Sequence, residues 1–386
     1  MSKGKETVSV FIDGEALVMD HFSGVGHYIL ELLRAVDKQL DNRPNIDVKI
    51  ITYFKRAQKI KSYGFRNIGI IRSPFSLRIA NGLKLRNKQP PLDLFFGRGV
   101  YIFPNFTTWP LHISKSISFI YDVSYERFPQ FADKHNQAFL SSQVKKTAKR
   151  SDIIATISKN SQREIEHFYE VASDKISVLY PAVDQREFYR RPPSDIKKIQ
   201  TKYGIKGQYI MFIGNLEPRK NLINLLLAYE KLPKTVRKKY ALLLVGAKGW
   251  QDGEIFETIE RLKKQGNTVL LPTQYVVDED RPALMSGATV FAYPSVYEGF
   301  GIPPLEAMAC GLPVASADNS SLPEAVGSAA QTFDAMSVED MSEAILKILE
   351  SPSLQKHLVQ AGYVQVDKFS WEHSAQQLIE LLEELS

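Results

Sequence analysis

The 386-residue sequence predicts an α/β protein built as two doubly wound domains of similar size. Three observations predict it. Short apolar runs of strand length alternate with helical patterns from end to end, which argues parallel sheets covered on both faces. A polar, proline-bearing break divides the chain near its middle. The length itself suits two or three domains at ~100–200 residues each.

In the first half, strands are expected at 8–13, 47–53, 67–71, 100–103, 116–121, 152–156 and 176–179. Helices are expected at 26–40 and 135–149; in the first, Ile29, Leu32, Leu33, Val36 and Leu40 recur at three- and four-residue spacing. The break falls at 184–206, where Asp184-Gln-Arg-Glu-Phe-Tyr-Arg-Arg-Pro-Pro-Ser leads through a charged helix to Gly204. The second half repeats the theme, with strands at 208–213, 240–246, 268–271, 288–292 and 312–316 and helices at 221–231, 253–265, 303–310, 338–350 and 353–362. An amphipathic helix starting at Ser370 closes the chain. The expected division is therefore 1–184, 185–369 and a final helix 370–386, with a cleft between the two domains.

Composition narrows the chemistry. The single cysteine, Cys310, rules out a disulfide framework or a thiolate metal cluster, and its apolar setting reads as a small core residue. No secretory leader and no apolar stretch of ~18–20 residues is apparent, so a cytoplasmic protein is expected. Residues 1–190 hold 29 Lys and Arg against 19 Asp and Glu, whereas the remainder holds 20 against 24. That asymmetry points either to an anionic partner for the first half or to a solvated basic face. Within 72–98, Arg72, Arg78, Lys84, Arg86, Lys88 and Arg98 interleave with Phe75, Leu77, Ile79, Leu83 and Leu85. Such a stretch fits an anionic bilayer or a lipid-linked acceptor, and equally an ordinary helix-and-loop surface.

Three glycine-bearing turns carry the chemistry. Tyr297-Glu-Gly-Phe-Gly-Ile-Pro-Pro-Leu-Glu-Ala-Met-Ala follows a strand and opens a helix. Pro303 suits a first helical turn, and backbone N–H groups around Gly299–Ile302 would face a diphosphate at the helix start. Glu298 and Glu306 flank this turn, and carboxylates accept hydrogen bonds from sugar hydroxyls. Phe212-Ile-Gly-Asn-Leu-Glu-Pro-Arg-Lys-Asn-Leu is the second turn, where Arg219 and Lys220 would neutralise charge on a leaving nucleotide. Both lie at carboxyl ends of strands, where open α/β sheets bind ligands. Phe22-Ser-Gly-Val-Gly-His-Tyr-Ile is the third. Gly24 and Gly26 there make either a tight turn near a ligand or a purely structural one. Triad, zincin and P-loop signatures do not occur.

These segments resemble glycosyltransferase family 4, the large retaining family of GT-B architecture, and particularly the bacterial mannosyl- and rhamnosyltransferases that build surface polysaccharides. The likeness runs through Gly24-Val-Gly26, Asp122-Val-Ser-Tyr-Glu-Arg-Phe-Pro129, Ser158-Lys-Asn-Ser-Gln-Arg, Leu179-Tyr-Pro-Ala-Val-Asp184, Gly214 to Asn221, and the paired glutamates Glu298 and Glu306. The resemblance implies two Rossmann-like domains facing across a cleft, acceptor in the first and nucleotide sugar in the second, with the last helix crossing back.

It also implies roles for single residues. Arg219 and Lys220 would hold the diphosphate, Glu298 the transferred sugar and Glu306 the ribose. Gly24, Gly214, Asn215, Gly299, Phe300 and Gly301 would line the donor, and Tyr275, in the strand end 270–276, the base. Asp122 joins Arg219, Lys220 and Glu298 as a catalytic candidate. Two departures stand out: Asn215 replaces an arginine common in relatives, and Tyr121 a histidine, which turns attention to His27 and His112.

The activity implied is transfer of a hexose, mannose from GDP-mannose first, to a glycan or lipid-linked acceptor, with no metal, no other cofactor and no nucleic acid. Peripheral contact with the cytoplasmic membrane is an accompanying expectation. A transferase using a rhamnose, glucose or GlcNAc nucleotide is the alternative, as is a catalytically impaired sugar-nucleotide-binding subunit.

Overall fold

A computed structural model of the chain describes residues 7–19, 24–53, 56–86, 88–131, 134–249, 252–272 and 274–386, with the side chains of 134–136 excepted. Two compact units result: Met1–Pro181 together with Ser370–Ser386, and Ala182–Phe369. The chain changes unit at Pro181, slightly before the polar break at 184.

Among the described residues the first unit holds seven strands: β1 (Val8–Asp13), β2 (Ile46–Tyr53), β3 (Ile68–Ser73), β4 (Val100–Phe103), β5 (Lys115–Phe119), β6 (Ile153–Thr156) and β7 (Ile176–Val178). They form one sheet in the order β3-β2-β1-β4-β5-β6-β7, and every pair is parallel. The core gathers Val10, Ile12, Ile50, Tyr101, Ile117 and Phe119 from the strands with Leu32, Leu33 and Val36 from the helix Gly24–Leu40. The final helix, Trp371–Glu384, contributes Ala375, Leu378, Ile379 and Leu382 to this same core. Ser370 caps it by accepting from the His373 N–H at 3.3 Å, as a serine at a helix start does. The Ser374 hydroxyl then donates to the Tyr180 carbonyl at 2.6 Å, and the Trp371 ring meets Tyr28 edge-on at 5.2 Å.

The second unit holds β8 (Gln208–Ile213), β9 (Tyr240–Val245), β10 (Val269–Leu270), β11 (Val290–Tyr293), β12 (Val314–Ala317) and β13 (Ala330–Phe333), again all parallel, in the order β10-β9-β8-β11-β12-β13. β9 and β11 are buried along their whole length, as central parallel strands with helices on both faces must be. Strand order reverses between β8 and β11, so the loops after these two strands diverge and leave a crevice at their carboxyl ends. β13 and the helix Lys159–Tyr169 were not expected. β13 is a short polar edge strand, and the helix buries only Ser161, Ile165 and Tyr169, a stripe too narrow to stand out.

The basic stretch at 72–98 divides in a way its composition does not reveal. Ser76 caps the helix Leu77–Leu85. Arg72, Arg78, Arg86, Lys88 and Arg98 are exposed, but Lys84 is buried at 6% exposure, ion-paired with Glu15 and 3.9 Å from Asp13. Lys84 is therefore an internal tie between this helix and the end of β1, not part of a surface-binding face. Phe75, Leu77 and Leu83 pack onto the core, while Ile79 and Leu85 face outward, as do Leu94 and Phe95 just beyond.

Candidate functional site

The two glycine turns of the second unit emerge on either side of the strand reversal. After β8 the chain passes Gly214 at φ +151°, where a Cβ would press on the Phe212 ring at 3.0 Å. A 3₁₀ turn, Pro218–Lys220, follows, and only then the helix Leu222–Lys231. Arg219 and Lys220 thus precede the helix instead of opening it. Asn221 sits between them and the helix at φ 57°, its amide donating to the Ala335 carbonyl at 2.7 Å and the Pro294 carbonyl at 3.1 Å. The second bond ties this loop to the one after β11, and the Val296 N–H seals the join on the Arg219 carbonyl at 3.0 Å.

The β11 loop runs from Pro294 to Gly301 and enters the helix Ile302–Ala309. Gly301 adopts φ +120°, and a Cβ there would lie 2.8 Å from Leu322, so only glycine fits. Ser320 and Ser321 clamp the loop backbone. The Glu298 N–H donates to Ser320 Oγ at 3.0 Å, and Ser321 Oγ lies 2.7 Å from the Glu298 carbonyl and 2.8 Å from that of Phe300.

Between the loops lies a buried charge network. Lys220 Nζ is 2.5 Å from Glu298 Oε1, and Arg219 donates to Glu298 Oε2 at 3.0 Å. Arg219 also reaches Glu217 at 2.9 Å and the Tyr297 carbonyl at 2.7 Å. Tyr293, the last residue of β11, joins through its hydroxyl, 3.0 Å from Glu298 Oε1 and 3.1 Å from Lys220 Nζ. Glu298 is 8% exposed. Burial pushes its carboxyl up, but Lys220 and Arg219 outweigh that and hold it at about 2. Burial and the neighbouring Arg219 lower Lys220, while Glu298 pulls the other way. The four groups with Glu217 carry two positive and two negative charges. An incoming anion must therefore compete with Glu298 for the cations.

Glu306 behaves differently. It lies on the helix after the turn, partly buried, and its carboxylate accepts no hydrogen bond from a described residue. Burial lifts its pKa to about 7; Arg281 lowers it, while Asp278 and Glu187 add to the rise. A desolvated carboxylate with open acceptor sites is suited to taking ligand hydroxyls. Cys310, one turn on, is buried, as its apolar setting suggested, and burial raises its thiol pKa.

Of the remaining sequence-stated candidates, Gly214, Gly299, Phe300 and Gly301 fall on these two loops; Gly299, Phe300 and Gly301 are buried, whereas Asn215 is exposed at the loop tip. Tyr275 stands 70% exposed after β10, and Thr273 beside it lies outside the described residues. Gly24 and Asp122 belong to the first unit. Gly24 begins the helix Gly24–Leu40, with nothing within 4 Å of where a Cβ would stand; Phe22 and Ser23 before it lie outside the described residues. Asp122 Oδ1 accepts from the Ser124 N–H at 2.9 Å.

Tyr121 is not a reactive substitute for a histidine. Its hydroxyl donates to the Pro104 carbonyl at 2.8 Å, and its ring lies edge-on to Tyr28 at 5.4 Å and Phe106 at 5.3 Å inside the core. His27 and His112 are exposed. Sequence reasoning passed over Tyr293, Ser320 and Ser321. A tyrosine ending an otherwise apolar, doubly buried strand was the available signal, because a buried hydroxyl requires a partner. Among the described residues, no group of three or more His, Cys, Asp or Glu side chains could hold a metal ion.

Comparison with known proteins supplies the context. Residues 195–365 match the family described as glycosyl transferases group 1. The chain is 34% identical over 366 residues, 92% of its own length and 95% of the relative's, to the O-antigen chain mannosyltransferase B of Escherichia coli. Over 236 residues, 60% of this chain and 28% of the relative, it is 31% identical to the serotype-specific mannosyltransferase WbdA of Escherichia coli. In fold it is similar to sucrose-phosphate synthase from Thermosynechococcus elongatus, with a TM-score of 0.69, 17% identity and 99% of both chains covered. It is similar also to WaaG, a glycosyltransferase involved in lipopolysaccharide biosynthesis, with a TM-score of 0.68, 18% identity and coverage of 97% and 99%.

Proposed function

Because this chain belongs to the glycosyl transferases group 1 family and is a glycosyltransferase of two Rossmann-like domains, we propose that it transfers mannose from GDP-mannose to a growing surface-polysaccharide acceptor, with retention of configuration. The observation that carries this reading is the meeting of Arg219, Lys220 and Glu298 at the strand reversal of the second unit. Two cations beside a carboxylate suit a diphosphate joined to a sugar. The choice of mannose and of a polysaccharide acceptor is supported by the names of the relatives that match 92% and 60% of this chain.

In this reading Arg219 and Lys220 take the diphosphate, and with the loop amides they stabilise the negative charge that grows as the bond from the anomeric carbon to the phosphate oxygen breaks. Glu298 turns to the sugar hydroxyls and Glu306 accepts from the ribose. The acceptor hydroxyl attacks on the face the diphosphate leaves and passes its proton to the departing phosphate oxygen, so catalysis comes from positioning and charge stabilisation, not from a covalent glutamate. The first unit takes the acceptor. Its outward Ile79, Leu85, Leu94 and Phe95, with Arg78 and Arg86, would rest on an anionic membrane that carries it.

Thermal stabilisation by a panel of nucleotide sugars, followed by acceptor-dependent nucleotide release, tests the proposal, because a ligand that binds only the native state raises apparent stability. GDP-mannose should stabilise most. Greater stabilisation by another sugar nucleotide would move the assignment to that donor, and binding without release would mark a binding subunit.

A further inference from the structure

Tyr293 is 1% exposed, and its ring lies nearly parallel to two others, Phe212 of β8 at 6.0 Å and Phe291 of β11 at 5.8 Å. This aromatic row fixes where the hydroxyl stands. At that point it accepts from Lys220 Nζ at 3.1 Å and donates to Glu298 Oε1 at 3.0 Å, while Lys220 also reaches that oxygen directly at 2.5 Å. A phenol has one proton to give, and the ionised carboxylate can only accept, so the order runs lysine to tyrosine to glutamate. Burial and the nearby Glu298 hold the phenol well above its ordinary pKa, and the proton stays on the hydroxyl.

We propose that Tyr293 is a positioning residue of the donor site, whose hydroxyl keeps Glu298 Oε1 in place when an anionic ligand draws Lys220 and Arg219 away. The inference rests on reading these cations as the donor's diphosphate site. Both Glu298 oxygens accept from the cations a diphosphate needs, Lys220 at Oε1 and Arg219 at Oε2. Stripped of both, a carboxylate this buried becomes an unpaired internal charge, which is strongly unfavourable. Tyr293 is neutral, so an anion draws on it less than on the two cations. Ser320 and Ser321 hold only the Glu298 backbone; of the neutral side chains beside the carboxylate, Ser295 and Tyr293, the phenol is the one that donates to Oε1 at 3.0 Å and so orients it toward the sugar. Glu217 is engaged with Arg219 and does not compete for the phenol.

Tyr293→Phe keeps the aromatic row and removes only the hydroxyl. With GDP-mannose, kcat should fall ~10- to 100-fold, the range expected for a hydrogen bond to a charged group, while the Kd for GDP by calorimetry changes less than about twofold. The acid limb of the rate profile should move to higher pH, since Glu298 loses a donor to its charged form. An unchanged kcat and profile, or an equal loss of GDP affinity, would overturn the positioning role. A second measurement is independent of sugar and base: carbon-13 NMR of the Glu298 carboxylate with saturating inorganic pyrophosphate. In Tyr293→Phe it should titrate about one unit higher than in the wild type; identical titrations would also overturn the role. If neither GDP nor pyrophosphate binds the wild-type protein, the donor-site reading falls and takes this inference with it.

Discussion

Replacing Glu306 by glutamine should stabilise the protein above neutral pH while weakening its hold on the nucleotide. Burial, modified by Arg281, Asp278 and Glu187, raises the Glu306 carboxyl from 4.5 to about 7. Between those values the folded chain retains a proton that the unfolded chain has released, so stability falls as pH rises, and the loss is complete once pH exceeds the folded pKa. A shift of about 2.5 units at ~1.36 kcal/mol per unit makes that loss roughly 3 kcal/mol. Glutamine cannot ionise. The variant's advantage in urea denaturation should therefore be near zero at about pH 4, grow through about pH 5, 6 and 7, and level off at roughly 3 kcal/mol by about pH 8.

The same titration governs the ligand. If only the charged form accepts ribose hydroxyls, about a tenth of wild-type molecules are competent at pH 6, half at pH 7 and about nine-tenths at pH 8. The ratio of GDP affinities, wild type over Glu306→Gln, should rise roughly tenfold from pH 6 to 8, and the ratio cancels titration of the phosphates themselves. A stability difference that does not vary with pH, or a variant less stable than wild type at pH 8, would refute the assignment of a desolvated carboxyl at this position. A flat affinity ratio would refute its ribose role alone.

Other outcomes follow from the same network. Glu298→Gln should cost roughly 3 kcal/mol at pH 7, because its carboxyl is held at about 2 and breaking a buried pair is expensive; for a depressed carboxyl this contribution is present above pH ~4.5 and lost as pH falls toward 2, so the two proteins should converge in acid denaturation. Turnover should persist in EDTA, since Arg219 and Lys220 supply the neutralising charge; complete loss restored by magnesium or manganese would contradict this. Arg78→Gln with Arg86→Gln should lower binding to anionic liposomes ~30-fold, at about 1 kcal/mol per basic residue near such a surface, and the wild-type binding should weaken with salt. Lys84 is left out of that pair because its charge serves Glu15 inside the fold; unchanged liposome binding would return Arg78 and Arg86 to ordinary surface.

The sequence by itself determined the two sheets and the loops that matter. Central parallel strands such as Tyr240–Val245 and Val290–Tyr293 are buried on both faces, and a strand with no polar face is an unbroken apolar run that any reader can find. The turns at Gly214 and Gly299–Gly301 were equally legible, because glycine and proline punctuate the chain where backbone geometry is demanding. Glu306 could be named from its spacing to Glu298, but its lifted pKa could not, since the helix alone does not bring Asp278, Glu187 and Arg281 around it.

What only the tertiary structure decided is who pairs with whom. Lys84 reads as one more surface cation in a basic stretch, yet Glu15, 69 residues earlier, claims it. Tyr121 stands where relatives commonly carry a histidine, and the core takes its ring and hydroxyl. Lys220 and Glu298 stand 78 residues apart, and strand order rather than local pattern sets them 2.5 Å from one another with Tyr293 between the same two loops. Periodicity records burial of one element against its neighbours, which is a local property of the chain. The partner of a buried charge is fixed by which strands lie side by side, and nothing in either segment alone encodes that.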